Sequence, residues 1–148
     1  MTYLDAAYIA KFYISEPDSG RVRSFLVTAP PAVSCVHAMA EVASVFHRKL
    51  REGTMPQPDF DFICAQFEAD CQAGLWTWLP LLESLAHMTR RNIGKLPPTT
   101  FLRAADALHL ACAADAGLKE IYSHDRHLLA AAPHFGLRGI DLISPKSK

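Results

Sequence analysis

The chain has 148 residues, half of them hydrophobic and a fifth charged, with 15 basic and 15 acidic side chains that leave it formally neutral at pH 7. That length suits one globular domain, 1–148, and the even charge excludes an overall basic field as its means of holding a nucleic acid, so any such binding must use local charge. Cys35, Cys64, Cys71 and Cys112 form no CxxC pair, the opening MTYLDAAYIAK lacks the features of a signal peptide, and no run is long enough to span a bilayer, which argues against a zinc ribbon, a redox dithiol or membrane contact and leads us to expect a cytoplasmic protein with reduced cysteines.

In chain order, TYL favours a strand, Asp5 follows it, and AAYIAKFYIS carries Ile9, Phe12 and Tyr13 at helical spacing. EPDSG breaks that helix, SGRVRSFLVTA starts a second, and Pro30 and Pro31 stop it. AVSCV reads as a short buried strand. HAMAEVASVFHRKLREG is a long helix ending at Gly53, with Arg48, Lys49 and Arg51 in its last turns where cations suit the dipole. TMPQP is a loop, and PDFDFICAQFEADCQAG is a helix between Pro58 and Gly74. LWTWLP is a brief strand whose Trp76 and Trp78 serve packing. LLESLAHMTRRNIGKL is a helix, Pro97 and Pro98 interrupt, and LRAADALHLACAADAG, 102–117, is a second helix, apolar on nearly every face. KEIYS is a strand, DRHLLAAA a short helix and GIDLI a final strand before a polar PKSK tail. Alternating strands and helices imply βα units, hence an α/β fold with a mainly parallel sheet of about five short strands flanked by about seven helices.

Four carboxylates stand out. Ligands of such a sheet sit beyond the carboxyl ends of its strands, and Asp5 follows the first strand while Asp125 follows KEIYS. Each equally suits the N-cap of the next helix. Glu41 shares a helix stripe with Ala38, Val42 and Val45, where a solvated side chain does not belong. Asp106 is surrounded at helical spacing by Leu102, His109, Leu110 and Ala113, with Arg103 as a possible i,i+3 ion-pair partner. An unpaired buried carboxylate costs several kcal/mol. Carboxylates crowded in one crevice need a cation, and hard ions such as Mg²⁺ or Mn²⁺ prefer oxygen ligands.

Other chemistries lack their residues. Ala7 stands where a haloacid-dehalogenase-type phosphatase needs its second Asp, and neither a phosphate-binding Gly-rich loop, an HExxH pair nor a GxSxG elbow occurs. His109 reads as a core histidine or one that supports the acids.

The order YLDAAYIAKFY, AMAEVASVFHRKL, LRAADALHLACAADAG, IYSHDRHL resembles PIN-domain ribonucleases along essentially the whole chain, in particular the VapC-type toxins of bacterial toxin–antitoxin pairs. The resemblance implies a PIN-like fold and places the family's four acids on Asp5, Glu41, Asp106 and Asp125, as catalytic and metal-holding residues, with Ser123 orienting the cluster or its water. It implies cleavage of RNA with Mg²⁺, Mn²⁺ being possible, to leave a 5′-phosphate and a 3′-hydroxyl. It further implies a homodimer silenced by a VapB-like antitoxin that covers the acidic site, with IAKFYISEP and RVRSFLV supplying apolar residues for a groove or simply for the core. Arg48, Lys49 and Arg51, or Arg90, Arg91 and Lys95, are candidates for backbone phosphates, or else a solvated surface. The alternatives are a PIN-like nuclease of RNA processing and a catalytically silent RNA-binding or scaffold protein.

Overall fold

The computed structural model describes residues 1–143, and the PKSK tail lies outside the described residues. The short apolar runs form β1 (Thr2–Leu4), β2 (Ala32–Cys35), β3 (Thr77–Leu79), β4 (Glu120–Tyr122) and β5 (Arg138–Ile140). They pair in the order β3-β2-β1-β4-β5, parallel at every junction. Seven α-helices connect them: α1 (Ala6–Tyr13), α2 (Ser19–Thr28), α3 (Ala38–Arg51), α4 (Gln57–Gln72), α5 (Glu83–Ile93), α6 (Ala104–Asp115) and α7 (Arg126–Ala131).

Strand side chains alternate between two cores. Tyr3, Val33, Cys35 and Ile121 join Leu85 of α5, Leu110 and Ala111 of α6 and Leu128 of α7, whereas Leu4 and Ala32 join Ile9, Val22, Val42 and Phe46 of the first three helices. Each face of the sheet is therefore covered, as parallel strands require. The large fully buried side chains each contribute about 1.5–3 kcal/mol of transfer free energy. The chain runs outward from β1 to β3, returns for β4, and so reverses direction between β1 and β4. That reversal opens a crevice beyond the carboxyl ends of the two strands.

Several boundaries differ from the sequence reading for local reasons. Trp76 precedes β3 rather than lying in it, where its indole N–H donates to the Tyr13 hydroxyl at 2.7 Å. β5 ends at Ile140 because Asp141 turns the chain, its Oδ1 accepting from the Ile143 N–H at 2.8 Å. A 3₁₀ turn, Ala132–Phe135, follows α7 around Pro133. Gly139 is required for closeness, since a Cβ there would lie 2.7 Å from Leu129 of α7. Among the cysteines, all free, Cys35 and Cys112 are buried and Cys64 and Cys71 are only half-buried on α4. No described helix is long and apolar enough to cross a membrane.

Glu16, just after α1, accepts from Lys11 at 2.7 Å and also pairs with Lys49 of α3. These two ammonium hydrogen bonds hold its carboxyl below the ordinary 4.5. A depressed folded pKa gives stabilisation that is complete above the unfolded value and lost as pH falls through the folded one. Glu16→Gln is therefore expected to lower Tm at pH 7 by the equivalent of about 1 kcal/mol or less, and the gap should close in acid. Thermal melts of both proteins between neutral and acid pH test this; a gap independent of pH would assign Glu16 to packing alone.

Candidate active site

The strand ends supply the first pair of acids. Asp5, directly after β1, is 6 % exposed. Its Oδ1 caps α1 by accepting from the Tyr8 N–H at 2.9 Å, and its Oδ2 accepts from the Ser123 hydroxyl. Ser123, fully buried after β4, also accepts from the Asp125 N–H at 2.9 Å. Asp125 Oδ1 in turn caps α7 through the His127 and Leu128 N–H groups at 2.7 and 3.0 Å. The capping role and the crevice role thus coexist, one oxygen of each carboxylate serving the helix. Parallel pairing of β1 with β4 brings these residues together although Asp5 and Ser123 are 118 positions apart.

Asp106 is placed differently from the sequence reading. Residues 101–103 are not helical, α6 begins at Ala104, and Asp106 therefore lies in its first turn, where a negative charge suits the helix dipole. Arg103 immediately precedes the helix with an extended backbone. Its Nε donates to Asp106 Oδ2 and its Nη2 to Asp125 Oδ2, both at 2.7 Å. The i,i+3 ion pair weighed for Asp106 is present, and the same guanidinium also reaches the second acid. Asp106 is 8 % exposed, whereas the Arg103 side chain is 60 % exposed, so the pairing is screened and its net worth is about 1 kcal/mol or less.

Glu41 lies in the first turn of α3, above Ala38 and Val42, which are fully buried. His109 of α6, 1 % exposed, donates from Nε2 to Glu41 Oε2 at 2.7 Å, and its Nδ1 hydrogen-bonds the Tyr3 hydroxyl at 2.9 Å. His109 is thus the supporting histidine of Glu41. Burial pushes the Glu41 carboxyl up, but the His109 hydrogen bond and the charges of His109, His37 and Arg103 outweigh it and hold the group below its usual range.

Asp5, Glu41, Asp106 and Asp125 line one pocket of about 330 Å³ together with Ser44, His109 and two guanidiniums, Arg48 and Arg103. Of the six basic residues named as candidates for backbone phosphates, Arg48 alone lines this pocket; Lys49 is engaged by Glu16. Burial, with a smaller push from Glu41, drives the Asp5 carboxyl above its ordinary value despite the hydrogen bonds from Ser123 and Tyr8. Four carboxylates with an all-oxygen donor set, one of them buried where its charge is costly, suit a hard divalent cation. Sequence reasoning missed His37, one turn before Glu41, and the second reach of Arg103. The His-x₃-Glu spacing at the start of α3 was the available signal for the first.

Since Arg103 supplies positive charge to two of the acids, Arg103→Gln is expected to lower the Tm of the metal-free protein and to enlarge the Tm gain on adding Mg²⁺. Differential scanning fluorimetry with and without Mg²⁺ measures both changes. An unchanged Mg²⁺ gain would show that Arg103 does not compete with a cation there.

The apolar residues near α1 and α2 divide between two roles. Ile9, Ile14 and Val22 are core, whereas Phe12, Leu26 and Val27 line an open groove of about 440 Å³ with Pro30, Leu75 and Trp76.

The sequence profile of the PIN domain family matches residues 2–133. Among solved structures, the chain is similar to VapC20 of Mycobacterium tuberculosis, a sarcin–ricin-loop-cleaving toxin, at 13 % identity and a TM-score of 0.70 over 88 % of this chain and 95 % of that one. It is similar to FitAcB of Neisseria gonorrhoeae at 16 % identity and a TM-score of 0.77, over 96 % and 98 % of the two chains. FitAB bound to the IR36 DNA fragment gives 15 % identity and a TM-score of 0.60, over 99 % of each chain. Identities this low speak for the fold. Comparison with curated protein sequences finds no match.

Proposed function

The chain belongs to the PIN-domain family, and on that premise we propose that it is a divalent-metal-dependent endoribonuclease acting as the toxin of a toxin–antitoxin pair. The observation that carries this reading is the convergence of Asp5, Glu41, Asp106 and Asp125 on one pocket at the reversal between β1 and β4. These four residues would hold Mg²⁺ or Mn²⁺, which when bound supplies Lewis-acid polarisation of a phosphate oxygen and a water acidic enough to lose its proton near neutral pH.

The protein's own residues do the rest. Ser123 and the Tyr8 N–H fix both oxygens of Asp5, and His109 fixes Glu41, so the acids are oriented before substrate arrives. Arg48 and Arg103, both on the pocket wall, would bind non-bridging phosphate oxygens and hold the scissile bond for in-line attack. Water is the nucleophile, so cleavage leaves a 5′-phosphate and a 3′-hydroxyl. The groove lined by Phe12, Leu26, Val27 and Trp76 supports docking of an apolar antitoxin segment, whose own Arg reaching the carboxylates would take the place of the cation. A homodimer working in the cytoplasm completes the reading.

The test is cleavage of total RNA by the purified protein with Mg²⁺ or Mn²⁺ and its loss on chelation, beside growth of cells expressing the protein alone. Cleavage with growth arrest supports the toxin. Cleavage without arrest assigns RNA processing instead, and intact RNA with either ion leaves the silent RNA-binding or scaffold alternative.

A further inference from the structure

We propose a second metal site in this chain, formed by His37, Glu41 and His109 and suited to Zn²⁺ rather than Mg²⁺. One ligand atom from each of the three residues lies within 4.8 Å of the other two. Glu41 Oε2 is 2.7 Å from His109 Nε2 and 3.6 Å from His37 Nε2, and the two imidazole centroids are 4.2 Å apart. Zinc with ligands about 2.0–2.2 Å away in a tetrahedron sets those ligands about 3.3–3.6 Å from one another, so the triad closes on the ion with side-chain shifts of about 1 Å.

His37 provides the independent observation. Neither of its ring nitrogens has a hydrogen bond of sound geometry, although both are closed off from solvent, with the Cys35 side chain and the Ala105 backbone beside the ring. Ring nitrogens shut off from water with no hydrogen bond, and only a 3.6 Å approach to Glu41, are desolvated for little return, and a metal on one of them offsets that cost. His109 carries the support typical of a metal-bound histidine, since the Tyr3 hydroxyl holds Nδ1 while itself accepting from the Cys35 N–H at 3.1 Å. Ligation through Nε2 takes the His109 tautomer that carries its hydrogen on Nδ1, where the Tyr3 hydroxyl accepts it.

Two imidazoles and one carboxylate select a borderline metal, whereas Mg²⁺ seeks oxygen and water. Glu41 and His109 line the carboxylate pocket and His37 does not, so the nitrogen site abuts that pocket and shares Glu41 with it. The two sites therefore compete for one carboxylate. This inference stands on the triad itself and does not require that the protein cleave RNA.

Calorimetric titration of chelator-stripped protein with Zn²⁺, with Co²⁺ as an absorbing probe, tests it. The wild type is expected to bind a single Zn²⁺ and to give the intense visible bands of tetrahedral Co²⁺. His37→Ala should weaken Zn²⁺ by at least about 100-fold and leave the Tm gain from Mg²⁺ unchanged, while Asp125→Asn should reduce the Mg²⁺ gain and spare Zn²⁺. Ring-nitrogen NMR shifts of His37 and His109 in the wild type on adding Zn²⁺ give the same answer should the variant fold poorly. Absence of Zn²⁺ binding, undiminished binding by folded His37→Ala, or unshifted ring nitrogens would each overturn the site.

Discussion

Asp106→Asn and Asp5→Asn are each expected to lower RNA cleavage by about three orders of magnitude while leaving the fold intact. Each substitution keeps the side-chain shape and removes the negative charge on which a divalent ion depends. Asn at 106 still offers an oxygen to the Arg103 guanidinium, and Asn at 5 still offers one to cap α1 through the Tyr8 N–H. The amide at position 5 must also face Ser123, which already accepts from Asp125, so the hydroxyl has to turn. That local cost is offset at neutral pH. Burial raises the Asp5 pKa above the ordinary 3.8, so its contribution to stability is fully present below that value and lost as pH rises through the folded one. Without metal at pH 7, Asp5→Asn should therefore be at least as stable as the wild type, an advantage that disappears in strong acid. Cleavage assays paired with melts across pH measure both effects. Wild-type cleavage by the double variant would remove the proposed site, and unfolding of the single variants at pH 7 would show that these carboxylates are structural.

Millimolar Mg²⁺ or Mn²⁺ should raise the Tm of the wild type by roughly 5–10 °C. A ligand at a hundredfold excess over its Kd adds about 2.7 kcal/mol, and each kcal/mol moves Tm by about 2–4 °C in a chain of this size. The physical source is relief of repulsion among four carboxylates that face two guanidiniums in one pocket. Asp125→Asn should remove at least about half of the gain without costing α7 its cap, because asparagine accepts from the His127 and Leu128 N–H groups as aspartate does. Scanning fluorimetry over a metal titration decides the matter. A melting curve indifferent to both ions would reduce the acids to helix caps and ion pairs.

The alternation of strand and helix was legible in the residues themselves, because apolar spacing and the stops at Pro30, Pro31, Gly53, Gly74, Pro97 and Gly117 are local properties of the backbone. From that alternation follows a parallel sheet, and from the sheet a shared crevice for Asp5 and Asp125, since every strand of such a sheet ends on the same side. Burial of Asp106 and its pairing with Arg103 were also readable from their spacing, although Arg103 makes the pair from the extended residue before α6 rather than from the helix itself. The start of α6 was not. LRAADALHLACAADAG keeps helical spacing from its first residue, yet the extended backbone at Arg103 starts the helix at Ala104 and moves Asp106 into its first turn.

What only the tertiary structure decided are the partners across the chain. Arg103 reaches Asp125 over 22 positions, and His109 reaches Glu41 over 68. His37 joins the latter pair with its ring tilted against His109, centroids 4.2 Å apart. Spacing along one helix says which face a side chain occupies, but which other element meets that face depends on strand order and on where the chain reverses. The sequence therefore determined which residues bear charge at the ends of strands and helices, and packing α6 against β2 and β4 determined which of them neutralise one another.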